Sequence, residues 1–277
     1  MSWGKWGKQF SYKEMISLMH HCIENKITTF DHADIYGDYS TEKDFGKAFS
    51  KSNIKRESIQ LISKCGIQYQ AEARSNKVKH YNYSKDYIIW SVEESLRNLQ
   101  TDYLDALLLH RPSPLMHPQE VMEAVAKLAQ EGKIKDFGVS NFTPSQMELI
   151  ASEVPVTINQ IEFSVTAFNA MHDGTLDYLF QNKITPMSWS PLGTVFKEDT
   201  EQTRRIHKQL GELIEKYDAT EDQLLLAWIM KHPAGIHPVV GTSNPNRLVN
   251  AINASKIDLD LEDWFLILVA SQGHKVP

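Results

Sequence analysis

The chain has 277 residues, 42% of them hydrophobic and 23% charged, and a formal net charge of -6. That composition excludes a disordered chain, since it supplies ample apolar surface for a core. The acidic balance argues against a nucleic-acid binder while leaving small anionic ligands open. Only two cysteines, Cys22 and Cys65, are present. They predict a reducing compartment and no disulfide framework. No apolar run is long enough to span a membrane, and MSWGKWGKQF at the N-terminus has no signal-peptide core. A cytoplasmic location is therefore expected.

In chain order, residues 12–25 carry the apolar spacing of an amphipathic helix, and 27–31 read as a strand. A helix over 41–49 follows, with Thr41 as its expected cap, then a strand at 60–63. Residues 84–99 form a long helix capped by Ser84, and 105–109 (DALLL) a buried strand. A helix over 118–131 opens on a proline. The strand 134–139, helix 144–152, strand 157–162, helix 175–181 and strand 185–189 continue the alternation. Two helices (201–217 and 220–232), a strand at 238–240 and helices at 245–254 and 261–271 complete it.

Seven strands, each followed by helix with no linker between, predict a parallel sheet in one domain over 1–277. An eight-unit closed barrel typically needs about 250 residues. The rival doubly wound sheet would announce a glycine-rich turn after its first strand, and no G-x-G-x-x-G occurs. The expected fold class is α/β, a (β/α)8 TIM barrel whose first strand is truncated to Met1–Trp3 at most or is missing.

Chemistry in such barrels gathers at the C-terminal strand ends. Those ends carry Asp31, Lys64, His110, Ser140-Asn141, Gln160, Ser190 and Gly241-Thr242. Each has a plain structural alternative: Asp31 as a helix cap, Lys64 as a solvated edge charge, His110 as a core histidine, GTSNP as a turn plus cap. Seven in succession favour one shared site. A tyrosine titrates near 10. A lysine ammonium about 4 Å away favours the phenolate by up to about 4 kcal/mol at an effective dielectric of 20. A carboxylate would keep a half-buried lysine charged. Tyr36, Lys64 and Asp31 can form that chain, with His110 aimed at a carbonyl. SPLG (190–193) and GTSNPNR (241–247) follow the last two strands, where barrels often bind phosphate, and Arg247 could grip one by its fork.

The ordered motifs D-x-A-x-x-Y-G (Asp31 to Gly37), LISKCG around Lys64, LLLHRP around His110, GVSNF, NQIEFS, WSPLG and GTSNPNRL resemble the aldo-keto reductase family from Met1 to Ala254. HRPSPLM is similar to a bacterial branch of uncharacterised oxidoreductases in it. The resemblance implies Tyr36 as general acid, Lys64 and Asp31 as its tuning pair, and His110 as the orienting group. It implies that Ser140, Asn141 and Gln160 hold a nicotinamide carboxamide and that Trp189 stacks on its ring. Ser190 and Leu192 would line the pyrophosphate; Gly241, Thr242, Ser243, Asn244 and Arg247 would meet the adenosine end. The implied activity is NADP-dependent reduction of small aldehydes or ketones, with NAD possible and no metal. The alternatives are a cofactor-binding accessory subunit or an inactive remnant. Two departures stand out. Arg111 occupies a position where tryptophan is more familiar, and Gly241 one where lysine often meets the NADP phosphate. Substrate choice is expected to lie in segments 66–83, 112–117 and 163–174 and the C-terminal tail. No partner protein, nucleic acid or membrane is implied.

Overall fold

The computed structural model describes residues 3–277. The chain divides into two compact units, Met1–Asn159 and Gln160–Pro277. The first unit runs α1 (Tyr12–Glu24), β1 (Thr29–Asp31), a single turn α2 (Tyr36–Tyr39), α3 (Thr41–Phe49) and β2 (Gln60–Cys65). A short antiparallel hairpin of β3 (Ile67–Gln68) and β4 (His80–Tyr81) follows, then α4 (Lys85–Leu99), β5 (Leu104–Leu109), α5 (Pro118–Gln130), β6 (Ile134–Ser140) and α6 (Pro144–Ala151). The expected first-strand remnant falls on Met1–Trp3. Met1 and Ser2 lie outside the described residues, Trp3 forms a bend, and no described strand precedes Thr29.

Helix ends in this unit follow the sequence closely. Ser11 and Glu14 close a capping box at α1, and Thr143 and Gln146 another at α6, each satisfying two N–H groups that would otherwise lack partners. Ser84 caps α4 as expected, and Pro118 opens α5. The expected cap of α3 is corrected. Ser40 holds that position, and its hydroxyl donates back to the Gly37 carbonyl rather than accepting from the helix.

Strands β1, β2, β5 and β6 are parallel neighbours. Side chains two apart on a strand share a face, so the register decides which residues meet. Asp31 pairs with Ile62, which puts Asp31 and Lys64 on one face. Lys64 pairs with Leu108, which brings in His110, and Leu108 pairs with Gly138, which brings in Ser140. The opposite face carries Leu61, Leu107 and Val139, each at most 1% exposed, against the helices. Gly138 is required on the site face: a Cβ there would lie 2.6 Å from the Ile158 carbonyl oxygen and 2.7 Å from Leu108.

The second unit takes up the strand β7 (Ile158–Glu162), then α7 (Thr175–Gln181), β8 (Thr185–Trp189), α8 (Glu201–Tyr217), α9 (Glu221–Met230), β9 (His237–Pro238), α10 (Pro245–Ala254) and α11 (Leu261–Gln272). Its core is aromatic. Trp228, fully buried, stacks on Trp264 at 4.9 Å and on Phe163 at 5.7 Å. Each indole N–H donates to the other tryptophan's carbonyl, at 3.1 and 2.9 Å, so two buried polar groups lose water without losing partners. Strand β9 starts earlier than the expected 238–240 and is only two residues long, although the Val239 amide still donates to the Ser188 carbonyl at 2.8 Å. Among the described residues, no helix is long and apolar enough to cross a membrane.

Helices α3 and α4 approach so closely at Gly46 that an added Cβ would stand 2.1 Å from the Asn98 carbonyl oxygen and 2.7 Å from the Leu99 carbonyl carbon. In an open helix, glycine to alanine is stabilising by up to about 1 kcal/mol. Here the sign reverses: Gly46→Ala is expected to destabilise by about 1–3 kcal/mol through overpacking. Urea unfolding reads this as a lower midpoint at unchanged slope; a midpoint equal to or above wild type would contradict the tight helix contact.

Candidate active site

The strand ends of the first unit assemble one group of residues. Asp31 closes β1, Lys64 is the fifth of six residues in β2, and His110 follows β5 directly. The Lys64 side chain is fully buried. Its ammonium donates to both oxygens of Asp31 at 2.8 and 2.7 Å, to the His32 carbonyl at 2.7 Å and to the Tyr36 hydroxyl oxygen at 3.3 Å. Three partner groups match three N–H donors, so the buried charge is both paired and hydrogen-bonded. Burial, the largest influence on Lys64, pushes it toward neutrality. The Asp31 charge, followed by Tyr36, holds it above its ordinary value.

Tyr36 reaches Lys64 because the chain reverses just after β1. Gly37, Asp38 and Tyr39 all have positive φ (62°, 56° and 66°), a conformation that non-glycine residues rarely adopt. The turn is held from outside. Asp38 accepts from Lys5 at 2.6 Å, from the Trp6 indole at 3.1 Å and from the Tyr69 hydroxyl at 2.8 Å. Trp6 also packs on Tyr36, with ring centroids 6.3 Å apart. Sequence reasoning missed Trp6, Asp38 and Tyr69; no periodicity marks a residue whose part is to hold a turn.

Electrostatics correct one expectation. Lys64 does pull the Tyr36 phenol down, but burial is the larger effect and Asp31 adds to it, so the phenol titrates above its ordinary value. It is a protonated phenol at neutral pH. His110 packs edge-on against Tyr36 at 5.9 Å. Burial first, then the charges of Lys64 and Arg111, depress it well below the usual imidazole range, so it is neutral. Its Nδ1 is buried without a partner.

His32 and Asp34, bystanders by motif, prove to be unusual residues. His32 is fully buried against Phe45, at 4.5 Å between ring centroids, and neither ring nitrogen has a partner. Asp34 is buried behind β2, where its Oδ2 accepts from Ser91 at 3.1 Å and from Tyr87 at 3.4 Å. Glu42 is buried nearby and accepts from Ser63 at 2.5 Å.

The expected cofactor residues divide between the units. Ser140 ends β6, and the Asn141 amide donates to its hydroxyl at 2.8 Å, with Asn141 held at φ 62°. Gln160 lies within β7 and is 2% exposed. Trp189 ends β8; Ser190, at φ 50°, begins a tight turn in which the Gly193 amide donates to its carbonyl at 2.7 Å, with Leu192 half-buried inside the turn. Strand β8 pairs in parallel with β9 (Met187 with His237, Ser188 with Pro238), so the turn 190–193 and the loop 241–244 leave adjacent strands in the same direction. That loop opens α10. The Asn244 side chain caps the helix, accepting from the Asn246 and Arg247 amides at 2.9 and 3.3 Å, and Thr242 accepts from the Asn244 amide at 3.2 Å. Ser243 is half-buried beside them, and Arg247 is exposed in the first turn. A Cβ at Gly241 would meet nothing within 4 Å, so packing does not demand the glycine. Two adjacent loops and an exposed arginine are features that suit a phosphate ligand. Among the described residues, no group of three or more His, Cys, Asp or Glu side chains is placed to hold a metal ion.

Comparison with known proteins places this geometry in context. The model of the Aldo/keto reductase family matches residues 1–268. The chain is 46% identical to an uncharacterised oxidoreductase, YcsN, of Bacillus subtilis, over 97% of this chain and 91% of that protein. It is 38% identical to a 6-dehydroglucose reductase of Agrobacterium fabrum, over 92% and 86%. Among solved structures, an aldo/keto reductase from Klebsiella pneumoniae in complex with NADP and acetate superposes with a TM-score of 0.78 at 26% identity, covering 92% of this chain and 84% of that one. The (β/α)8 class expected from the sequence is the fold of these neighbours.

The buried acids predict a pH dependence of stability. Burial first, and then the Glu42 charge, raise Asp34 from 3.8 to about 8, against the opposing bonds from Ser91 and the Ile35 amide; burial likewise raises Glu42 from 4.5 to about 7. Above their ordinary values and below the raised ones, the folded state holds protons that the unfolded state has released. Stability therefore falls as pH rises from about 4 to about 8. Asp34→Asn is expected to flatten much of that slope, with Glu42 supplying the remainder. Thermal melts of the two proteins from pH 5 to 8.5 test it, and parallel curves would contradict it.

Proposed function

The chain belongs to the aldo/keto reductase family, and from that premise we propose that it reduces small aldehydes or ketones to alcohols with NADPH, using Tyr36 as the proton donor. The observation that carries this reading is the direction of one hydrogen bond. The Tyr36 oxygen accepts from the Lys64 ammonium, so the phenol's own proton is free to point at a substrate oxygen. A phenol held above its ordinary pKa keeps that proton until an oxygen beside it gains negative charge, which is when a general acid is needed. Asp31 keeps Lys64 charged, and Lys64 stabilises the phenolate left behind. Neutral His110 orients the carbonyl by donating from Nε2 without competing for the proton.

The bound nicotinamide supplies the hydride. Ser140, Asn141 and Gln160 are the proposed holders of its carboxamide, Trp189 of its ring, Ser190 and Leu192 of the pyrophosphate, and Thr242, Ser243, Asn244 and Arg247 of the adenosine end. Asn244 would do so by setting the helix terminus, since its side-chain oxygen is committed to the cap. Open space at Gly241 leaves room for a phosphate where lysine is often found, with Arg247 as the compensating cation.

NADPH oxidation in the presence of methylglyoxal or nitrobenzaldehyde tests the reaction. Tyr36→Phe is expected to lower kcat by roughly 10²–10⁴-fold while NADPH binding, followed by nicotinamide fluorescence, stays intact. Activity within tenfold of wild type would remove Tyr36 from the proposed role. Arg247→Ala is expected to weaken NADPH binding about tenfold or more, as loss of a charge-assisted phosphate contact does, and NADH binding much less. Equal losses for both cofactors would show that Arg247 does not read the extra phosphate.

A further inference from the structure

We propose that His207 is a positioning residue for the cofactor: as a cation bridging the Glu221 carboxylate and the Val195 carbonyl, it holds the 190–195 turn in its binding form. Affinity for NADPH then falls as His207 loses its proton. The proposal rests on the reading of Ser190 and Leu192 as pyrophosphate contacts and deepens it by naming what fixes their turn.

One side of the turn is held by the segment after β7. The Thr194 amide donates to the Thr166 hydroxyl at 3.1 Å. Gly193, at φ 53°, lies so close that a Cβ would stand 2.0 Å from that same oxygen and 2.6 Å from the Ser164 hydroxyl. The other side is held by α8. There Val195, 1% exposed, turns its carbonyl to His207 Nε2 at 3.0 Å. His207 Nδ1 lies 3.1 and 3.0 Å from the two carboxylate oxygens of Glu221, the first residue of α9. Phe196 packs edge-on against the imidazole, with ring centroids 5.6 Å apart.

A backbone carbonyl and a carboxylate can only accept hydrogen bonds. A neutral imidazole carries one N–H and satisfies one of them, while its bare nitrogen faces the lone pairs of the other. Both bonds form together only in the imidazolium. The surroundings favour that form. The bond to Glu221 first, then the Val195 carbonyl and the charges of Glu221 and Asp199, raise His207 above its ordinary value of 6.5 against the opposing effect of burial. Asp199, in the segment before α8, is shared with Arg204, from which it accepts at 2.6 and 2.9 Å. The anchor is therefore complete below about pH 6.5 and is lost as pH rises through the raised value. When the proton leaves, the carboxylate is the stronger acceptor and keeps the remaining N–H, so the Val195 carbonyl is released. The His207 and Glu221 side chains are 38% and 26% exposed, and solvent screening keeps the effect to several-fold.

Hydrogen exchange and NADPH binding on the full chain test this. Without cofactor, exchange at the Gly193 and Val195 amides, corrected for its intrinsic pH dependence, is expected to quicken about fivefold from pH 6 to 8.5 in wild type. In His207→Gln, which cannot carry the charge, it should be fast and level; in His207→Arg, which is always charged, slow and level. Nicotinamide fluorescence should show the Kd for NADPH rising about fivefold more over that range for wild type than for either variant. Saturating NADPH should in turn raise the titration midpoint of the His207 ring resonance by about 0.7 pH unit, the same fivefold coupling read from the other side. Level exchange in wild type, or a pH dependence of exchange or affinity that persists undiminished in His207→Gln, would overturn the proposal. If wild type bound no NADPH at any pH, the cofactor reading would fail separately, and the exchange measurement would still decide whether His207 holds the turn.

Discussion

The buried ammonium of Lys64 is the constraint around which the first unit is organised. A lysine stripped of water stays charged only if its donors are met by acceptors and its charge is balanced. Asp31, the His32 carbonyl and the Tyr36 oxygen meet that demand together, and each has a structural consequence. Asp31 must end β1 in the register that puts it on the same face as Lys64. The His32 carbonyl must turn inward while its amide still donates to Ile62 at 2.8 Å. Tyr36 must come back over the strand ends within four residues. The three consecutive positive-φ residues that follow it are the local strain this return requires, on the order of 1–3 kcal/mol for each non-glycine member. The contacts of Asp38 with Lys5, Trp6 and Tyr69 offset that strain from outside the pocket.

The two faces of β2 treat ionisable groups in opposite ways. On the site face a full charge is retained because its partner is a carboxylate at 2.7 Å. On the helix face Asp34 and Glu42 meet neutral donors: Ser91, Tyr87 and the Ile35 amide for one, Ser63 and Ser95 for the other. A hydroxyl bond offsets part of a carboxylate's desolvation but not all of it, so both acids hold their protons to higher pH. Ionised acids behind the strand would draw on the Lys64 charge, which Glu42 already feels. In their protonated forms they leave that charge directed at Asp31 and Tyr36.

Much of this was legible in the sequence, for reasons that can be named. DALLL and QLIS are strands because they are apolar on both faces, and the helices between announce themselves through Ser84 and Pro118. Asp31, Lys64 and His110 could be placed together because strand ends and period-two alternation are readable without coordinates. The hairpin inside 66–83 was not, since Ile67–Gln68 is two residues long and leaves no periodicity to detect. Strand β9 is equally short, and the apolar pair Val239-Val240 drew its expected start one residue and its expected end two residues too late. The direction of the Tyr36 shift was misjudged because a sequence reveals which charges can be near but not how much water is excluded. Asp34 and His32 match no motif, and their character comes from burial.

The same reasoning separates what is fixed in this site from what is adjustable. Tyr36, Lys64 and Asp31 are bound to one another by a buried charge, so replacing any one removes a partner from a buried network. Arg111 stands outside that closed set. Its backbone is held by Tyr83 and its place follows from the strand that ends before it, so its position does not depend on the identity of its side chain. A fold arranged this way separates the demands of a buried charge from those of the backbone turn that follows β5.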